Sequence, residues 1–138
     1  MFFLRRLFRR GPNADAAEWG HKNVVPRWAE YKKNGVVFPH PVGIVIGSRV
    51  EIGAGTWIWQ NVTIGAKKHQ LGLSPDEEAK RYPTIGKNVM LYAGAVIVGP
   101  IHIGDGAAVG ANSVVLGDVP AGATVAGNPA KIIRSQAQ

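Results

Sequence analysis

From Val42 onward the chain divides into sixes: VGIVIG, SRVEIG, AGTWIW, QNVTIG and, after an interruption, KNVMLY, AGAVIV, GPIHIG, DGAAVG, ANSVVL. An aliphatic residue recurs at Ile46, Ile52, Ile58 and Ile64, then at Ile85, Leu91, Ile97, Ile103, Val109 and Val115. Two positions before it stands a smaller or branched residue (Val50, Thr56, Val62, Val89, Ala95, Ala107, Ser113), with the bulkier Ile44 and Ile101 as exceptions. Gly follows it at Gly47, Gly53, Gly65, Gly86, Gly104 and Gly110. A helical period of about 3.6 does not sustain such sixes with this much glycine and β-branching. The two-residue period of a strand does, provided each short strand ends in a tight turn. Both apolar positions then face inward, and the following glycine is expected to supply the turn conformation. Three such strands make an eighteen-residue coil, and stacked coils bury a column of Ile, Leu and Val. The expected fold is therefore all-β, a parallel β-helix of hexapeptide repeats. A β-sandwich spaces its strands by roughly 8–12 residues and does not fit.

The sixes divide the chain into an N-terminal segment, 1–34, a β-helix, 35–127, and a tail, 128–138. A loop at 66–83, too polar to continue the coil, interrupts the β-helix. In the loop, Ser74-Pro75-Asp76-Glu77 has an N-cap Ser, a Pro at the first helical position and the Glu of a capping box, which predicts a short helix through Lys80. A loop of this length with its own capping chemistry reads as a flap over a cleft rather than a solvated excursion. The tail is expected to cover the open coil end, with Ile132 and Ile133 packing down. Near the N-terminus, Phe3, Leu4, Leu7 and Phe8 segregate from Arg5, Arg6, Arg9 and Arg10 on a helical wheel. A short amphipathic helix over 1–10 needs a surface to lie on: the coil edge, a neighbouring subunit or an anionic membrane.

Composition narrows the function classes. The 138 residues include 16 Lys plus Arg, 9 Asp plus Glu, 18 Gly and no Cys, which removes disulfides, thiolate metal sites and a cysteine nucleophile. Residues 1–33 carry a net charge of +5 and the other 105 only +2, so the basic excess is terminal and no nucleic-acid-binding face emerges. No apolar run approaches the ~20 residues that span a bilayer, and Arg5 and Arg6 interrupt any signal-peptide core. The expected location is cytoplasmic, with the inner membrane face open through residues 1–10. His21, His40, His69 and His102 offer no closely spaced pair, so no metal site is expected. Extrapolating the sixes back from Ile46 places His40 inward. The prolines on both sides of it argue instead for an irregular edge turn, where a neutral imidazole can act as a general base.

The run Gly35 to Gly47, GVVFPHPVGIVIG, resembles the catalytic stretch of the serine acetyltransferase branch of the hexapeptide-repeat acyltransferases. Gln60-Asn61-Val62-Thr63-Ile64-Gly65, then a loop, then Arg81-Tyr82-Pro83-Thr84-Ile85-Gly86 is similar too. So is Val119-Pro120 through Ala126-Gly127-Asn128-Pro129-Ala130-Lys131, which resembles the coenzyme-binding end. The likeness covers about Gly35 to Arg134. It implies a left-handed coil, a homotrimer with sites between subunits, and acetyl-CoA as co-substrate. It also implies that His40 deprotonates the acceptor hydroxyl for direct attack on the thioester, without an acyl-enzyme. It places Ala66, Lys67, Ala93 and Ala111 along the pantetheine arm and Lys131 and Arg134 at the phosphates. On their own chemistry, Arg81 can bind a carboxylate or a phosphate, Tyr82 can hydrogen-bond the acceptor or pack on the loop, and Trp57 and Trp59, alternating with Ile58, point outward to line the acceptor cleft or the trimer interface.

The chain departs from that branch at telling positions. Pro39 stands where the family has an Asp before the histidine, and Tyr82 where it has a second histidine. Its orienting Asp falls near Val25, and Glu30 is the nearest acid. A serine ammonium would lack its partner there. The expected acceptor is therefore a neutral hydroxyl on a sugar or cell-surface glycan precursor. Serine O-acetylation and a non-catalytic β-helical scaffold are the alternatives.

Overall fold

The computed structural model describes residues 23–68 and 70–136. Short strands follow one another around three sides of a prism. Ahead of them lies α1 (Trp28–Lys33), and then come β1 (Val45–Ile46), β2 (Glu51–Ile52), β3 (Trp57–Ile58) and β4 (Thr63–Gly65). The loop holds α2 (Pro75–Ala79). After it come β5 (Thr84–Ile85), β6 (Met90–Leu91), β7 (Val96–Val98), β8 (His102–Ile103), β9 (Ala108–Val109), β10 (Val114–Val115), β11 (Thr124–Gly127) and β12 (Ala130–Arg134). The sheets are β1-β4-β7-β10, β2-β5-β8 and β3-β6-β9-β11-β12, parallel throughout except for β11 against β12. Val45 pairs with Thr63, eighteen residues on, and Thr63 with Val96, thirty-three on, so the loop adds fifteen residues to one coil.

Each rung buries its two inward residues. Ile46, Ile64, Ile97 and Val115 line one wall, Ile52, Ile85 and Ile103 the second, and Ile58, Leu91, Val109 and Val125 the third, all buried. Each such side chain is worth about 1.5–3 kcal/mol relative to exposure. The two inward polar residues among the rungs are satisfied: Thr56 Oγ1 donates to the Gly86 carbonyl at 2.9 Å, and Ser113 Oγ accepts from Gly127 N–H at 3.1 Å.

Glycine serves the coil differently from the sequence expectation. The residues with left-handed φ lie three after the aliphatic: Gly55 at +74°, Gly94 at +74° and Gly106 at +69°, with Asn61, Asn88 and Asn112 at +53° to +58° on related corners. On the β2-β5-β8 wall, the glycine directly after the aliphatic (Gly53, Gly86, Gly104) is needed for room, whereas a Cβ on Gly65 would meet nothing. A Cβ on Gly53 would sit 2.6 Å from the Gly86 backbone of the next coil. At that corner the neighbouring coil's backbone occupies the space a side chain would take.

Both ends depart from the repeat. At the N-terminal end, Val24 pairs with Val45, and Val25, Trp28, Tyr31 and Val36 join the core, so the packed unit reaches back before residue 35. Trp28 and Tyr31, three apart, share the buried face of α1, whose early Glu30 and late Lys32 and Lys33 suit the helix dipole. The Tyr31 hydroxyl donates to the Val50 carbonyl at 2.6 Å, and Arg27 Nη1 donates to the same oxygen at 3.0 Å. At the other end, β12 pairs antiparallel with β11, but Ile132 and Ile133 are 53% and 67% exposed rather than packed down. The strand extends its sheet past the last closed coil, where no opposite wall remains to cover either face. The helix expected over 1–10 and His69 lie outside the described residues.

Candidate active site

His40 is exposed, not inward. The register explains why: Val37 pairs with Trp57, twenty residues on, but Val45 pairs with Thr63, eighteen on. The first coil thus carries two extra residues between those points, and His40 bulges from the corner they form. The bulge is held on both sides. Phe38 stacks on Trp28 of α1, with centroids 4.2 Å apart and planes at 27°. Pro41 is buried, and Val42 N–H donates to the His40 carbonyl at 2.8 Å, closing a three-residue turn about Pro41. The Asn23 carboxamide donates to the Pro41 carbonyl and accepts from Ile44 N–H at 2.9 Å.

Below His40 the same corner repeats along the prism. The Gln60 carbonyl accepts from Gly94 N–H, and the Ala93 carbonyl from Asn112 N–H. The Val42 carbonyl accepts from Asn61 N–H in the same way, so Val42, Gln60, Ala93 and Ala111 form one column, with His40 in the bulge two residues before Val42. Three coil spacings of ~4.8 Å make it about 14 Å long, a fit for an extended pantetheine arm. The structure places Ala93 and Ala111 in the coils below the His40 bulge, along the same edge of the prism. Gln60, which the sequence reading passed over, encloses its Oε1 in this corner without a hydrogen-bond partner.

Beside the column stands an aromatic ladder. Trp59 stacks on Tyr92 with centroids 5.0 Å apart, and Trp57 leans on Trp59 at 5.6 Å. Trp57 and Tyr92 are each 39% exposed. Tyr92 is the sequence reading's other omission, because the fifteen-residue insertion hides that it lies one coil below Trp59. The two sheets meeting at this corner carry mostly apolar outward residues: Val45, Thr63, Val96 and Val114 on one, Trp57, Met90, Ala108 and Thr124 on the other. The third sheet presents Glu51, Thr84 and His102.

The remaining candidates lie elsewhere on the chain. Arg81 and Tyr82 close the loop at the next corner, between the β1 and β2 sheets, and Ala66 and Lys67 open it there. Tyr82 lies across Gly47, where any Cβ would strike its ring. Arg81 Nη1 pairs with Glu78 Oε2 at 3.2 Å, while its Nη2 is enclosed without a partner. Lys131 and Arg134 are exposed on β12, at the end of the prism away from His40. Glu30, the nearest acid in sequence to the orienting position, is committed to Arg27, whose Nε donates to it at 2.9 Å. That guanidinium holds the Glu30 carboxyl below the usual range, and in turn Glu30 and Glu51 hold the Arg27 pKa up. In one chain, then, His40, Trp59, Ala93 and Ala111 share an edge, and Arg81, Tyr82, Ala66 and Lys67 share the next.

With this geometry in place, likeness to known proteins decides the family. The bacterial transferase hexapeptide family (six repeats) matches residues 82–117. The chain is 41% identical over 99 residues to serine acetyltransferase of Helicobacter pylori, covering 72% of this chain and 54% of that one. The chain belongs to the hexapeptide-repeat transferases, in their serine acetyltransferase-like branch. Its coil has the left-handed sense of that fold. Soybean serine acetyltransferase apoenzyme superposes with a TM-score of 0.63 at 43% identity, covering 71% of this chain and 38% of the other. A serine acetyltransferase solved in complex with CoA gives 0.61 at 41% identity, covering 71% and 37%. The chain thus spans between about a third and just over half of the length of these relatives.

Proposed function

We propose that the chain is an acetyl-CoA-dependent O-acetyltransferase with His40 as the general base. The observation that carries the reading is the exposed imidazole, held between two prolines two residues before Val42, which heads the Gln60–Ala93–Ala111 column. The imidazole takes the acceptor hydroxyl proton as the oxygen attacks the thioester carbonyl. The tetrahedral oxyanion is met by backbone N–H groups, the C–S bond breaks, and the departing thiolate recovers the proton from the imidazolium. Ala93 and Ala111 offer main-chain groups to the pantetheine, and Lys131 and Arg134 at the foot of the prism offer charge to the phosphates. The relative solved with CoA supports this use of the fold.

Serine is the acceptor we assign, in place of the sugar favoured by the sequence reading, because the relatives are serine acetyltransferases by name. A neutral glycan hydroxyl is the second reading. The exposed Trp57 and Tyr92 and the half-buried Trp59 between them, on the His40 edge, favour it, as does the engagement of Glu30 by Arg27. We further infer a trimer. Two mainly apolar faces flank the His40 edge, and a neighbouring chain pressed against them would bring its Arg81 and Tyr82 edge to His40. Thiol release from acetyl-CoA with L-serine and with methyl glycosides tests the assignment. Faster turnover with a glycoside would move it to the second reading, and no release with either would end it.

A further inference from the structure

We propose that Asn23 is a positioning residue for His40, acting by wedging open the turn on which the imidazole is mounted. The inference goes beyond the assignment of His40 as base and rests on it. In the two coils farthest from His40 the equivalent turns close on themselves: Ala95 N–H donates to the Tyr92 carbonyl at 3.1 Å, and Ser113 N–H to the Gly110 carbonyl at 3.3 Å, while the turn at Val62, in the coil next to His40, carries no such bond. The registers Val45–Thr63–Val96–Val114 identify Ile44 as the first-coil counterpart of Ala95 and Ser113. The corresponding bond from Ile44 N–H to Pro41 is replaced. Ile44 N–H goes to Asn23 Oδ1, and the Pro41 carbonyl accepts from Asn23 Nδ2.

One carboxamide therefore stands where a single turn bond stands at Ala95 and Ser113, and it holds the turn that directly follows the two extra residues between Val37 and Val42. Asn23 is 8% exposed, and its backbone is anchored. The next residue, Val24, donates to the Ile44 carbonyl and accepts from Ile46 N–H, both at 2.8 Å. Only a carboxamide supplies both a donor and an acceptor at this reach. An Asp at the position would set an oxygen against the Pro41 carbonyl, and an Ala would leave both backbone groups unmet. Pro41 follows His40 directly, so its orientation sets where the imidazole points, and errors of about an ångström matter for proton transfer.

Thiol release is measured for the native chain, Asn23→Ala, Asn23→Asp and His40→Ala, with acetyl-CoA and acceptor varied between pH 5.5 and 9. Both Asn23 variants are expected to lose about tenfold or more in kcat and to shift the acid limb of kcat/KM. Their KM for acetyl-CoA should hold within about twofold, because the coenzyme column lies in lower coils. A kcat within twofold of native, or a KM that rises as far as kcat falls, overturns the inference. Amide exchange on the native chain needs no variant. Ile44 N–H protected as strongly as Ala95 and Ser113 supports the clamp, and free exchange there removes it. A native chain without turnover would instead sink the acetyltransferase reading, leaving the clamp to the exchange measurement.

Discussion

A histidine between two prolines has few backbone states to lose, and in this chain the stiffness has a visible purpose. Pro41 is buried, Phe38 is half-buried and stacked on Trp28, and the imidazole between them is exposed to solvent. His40→Ala is expected to lower thiol release about 10²–10⁴-fold with the coil intact, measured as kcat alongside the circular dichroism spectrum. Single residues also decide the corners. Gly94 has φ +74° and faces the Asn112 carboxamide, so Gly94→Ala meets both left-handed strain and a clash. A loss of about 1–2 kcal/mol from the backbone alone is expected in urea unfolding, whereas the same change at exposed Gly117, with open space around it, should be nearly silent.

At the scale of elements, α1 and α2 are held by different physics. The six-residue α1 is too short to stand alone and persists because Trp28 and Tyr31 are buried. Burial pushes the Tyr31 hydroxyl up to about 12, against about 10 for an unfolded tyrosine. The folded chain holds that proton more tightly, so the stability it confers is complete below pH ~10 and is lost as the pH rises through about 12. Melting temperatures from pH 9 to 12 should fall more steeply for the native chain than for Tyr31→Phe. In α2 the Ser74–Glu77 capping box is present, and the backbone and hydroxyl of Ser74 hold the Glu77 carboxyl below its ordinary range. With no buried residue in α2, Ser74→Ala should cost about 1 kcal/mol locally. The readout is faster trypsin cleavage after Lys80 with an unchanged global melt.

Across the whole molecule the three faces are unequal. The β2-β5-β8 face is polar outside, and the two faces meeting at the His40 edge are mainly apolar. Val45→Glu, at an exposed point of one apolar face, is expected to lower the sedimenting mass and the turnover together. Thr84→Lys on the polar face should change neither. A monomer that retains full activity would separate the edge chemistry from assembly.

The six-residue period alone determined the coil, its inward Ile, Leu and Val ladder and the position of the inserted loop, because alternating strand geometry ties side-chain direction to sequence position. The capping box was equally legible, since its partners are three residues apart. Neighbours brought together by stacking were not. The two extra residues that turn His40 outward appear only when Val37 and Val45 are seen to pair in different registers. The Trp59–Tyr92 contact is hidden in the sequence by the insertion. The clamp of Asn23 on Pro41 and Ile44 spans some twenty residues and belongs to an incomplete coil that no repeat announces. Local period dictates which way a residue faces, while the stacking of one coil on the next decides what it meets there.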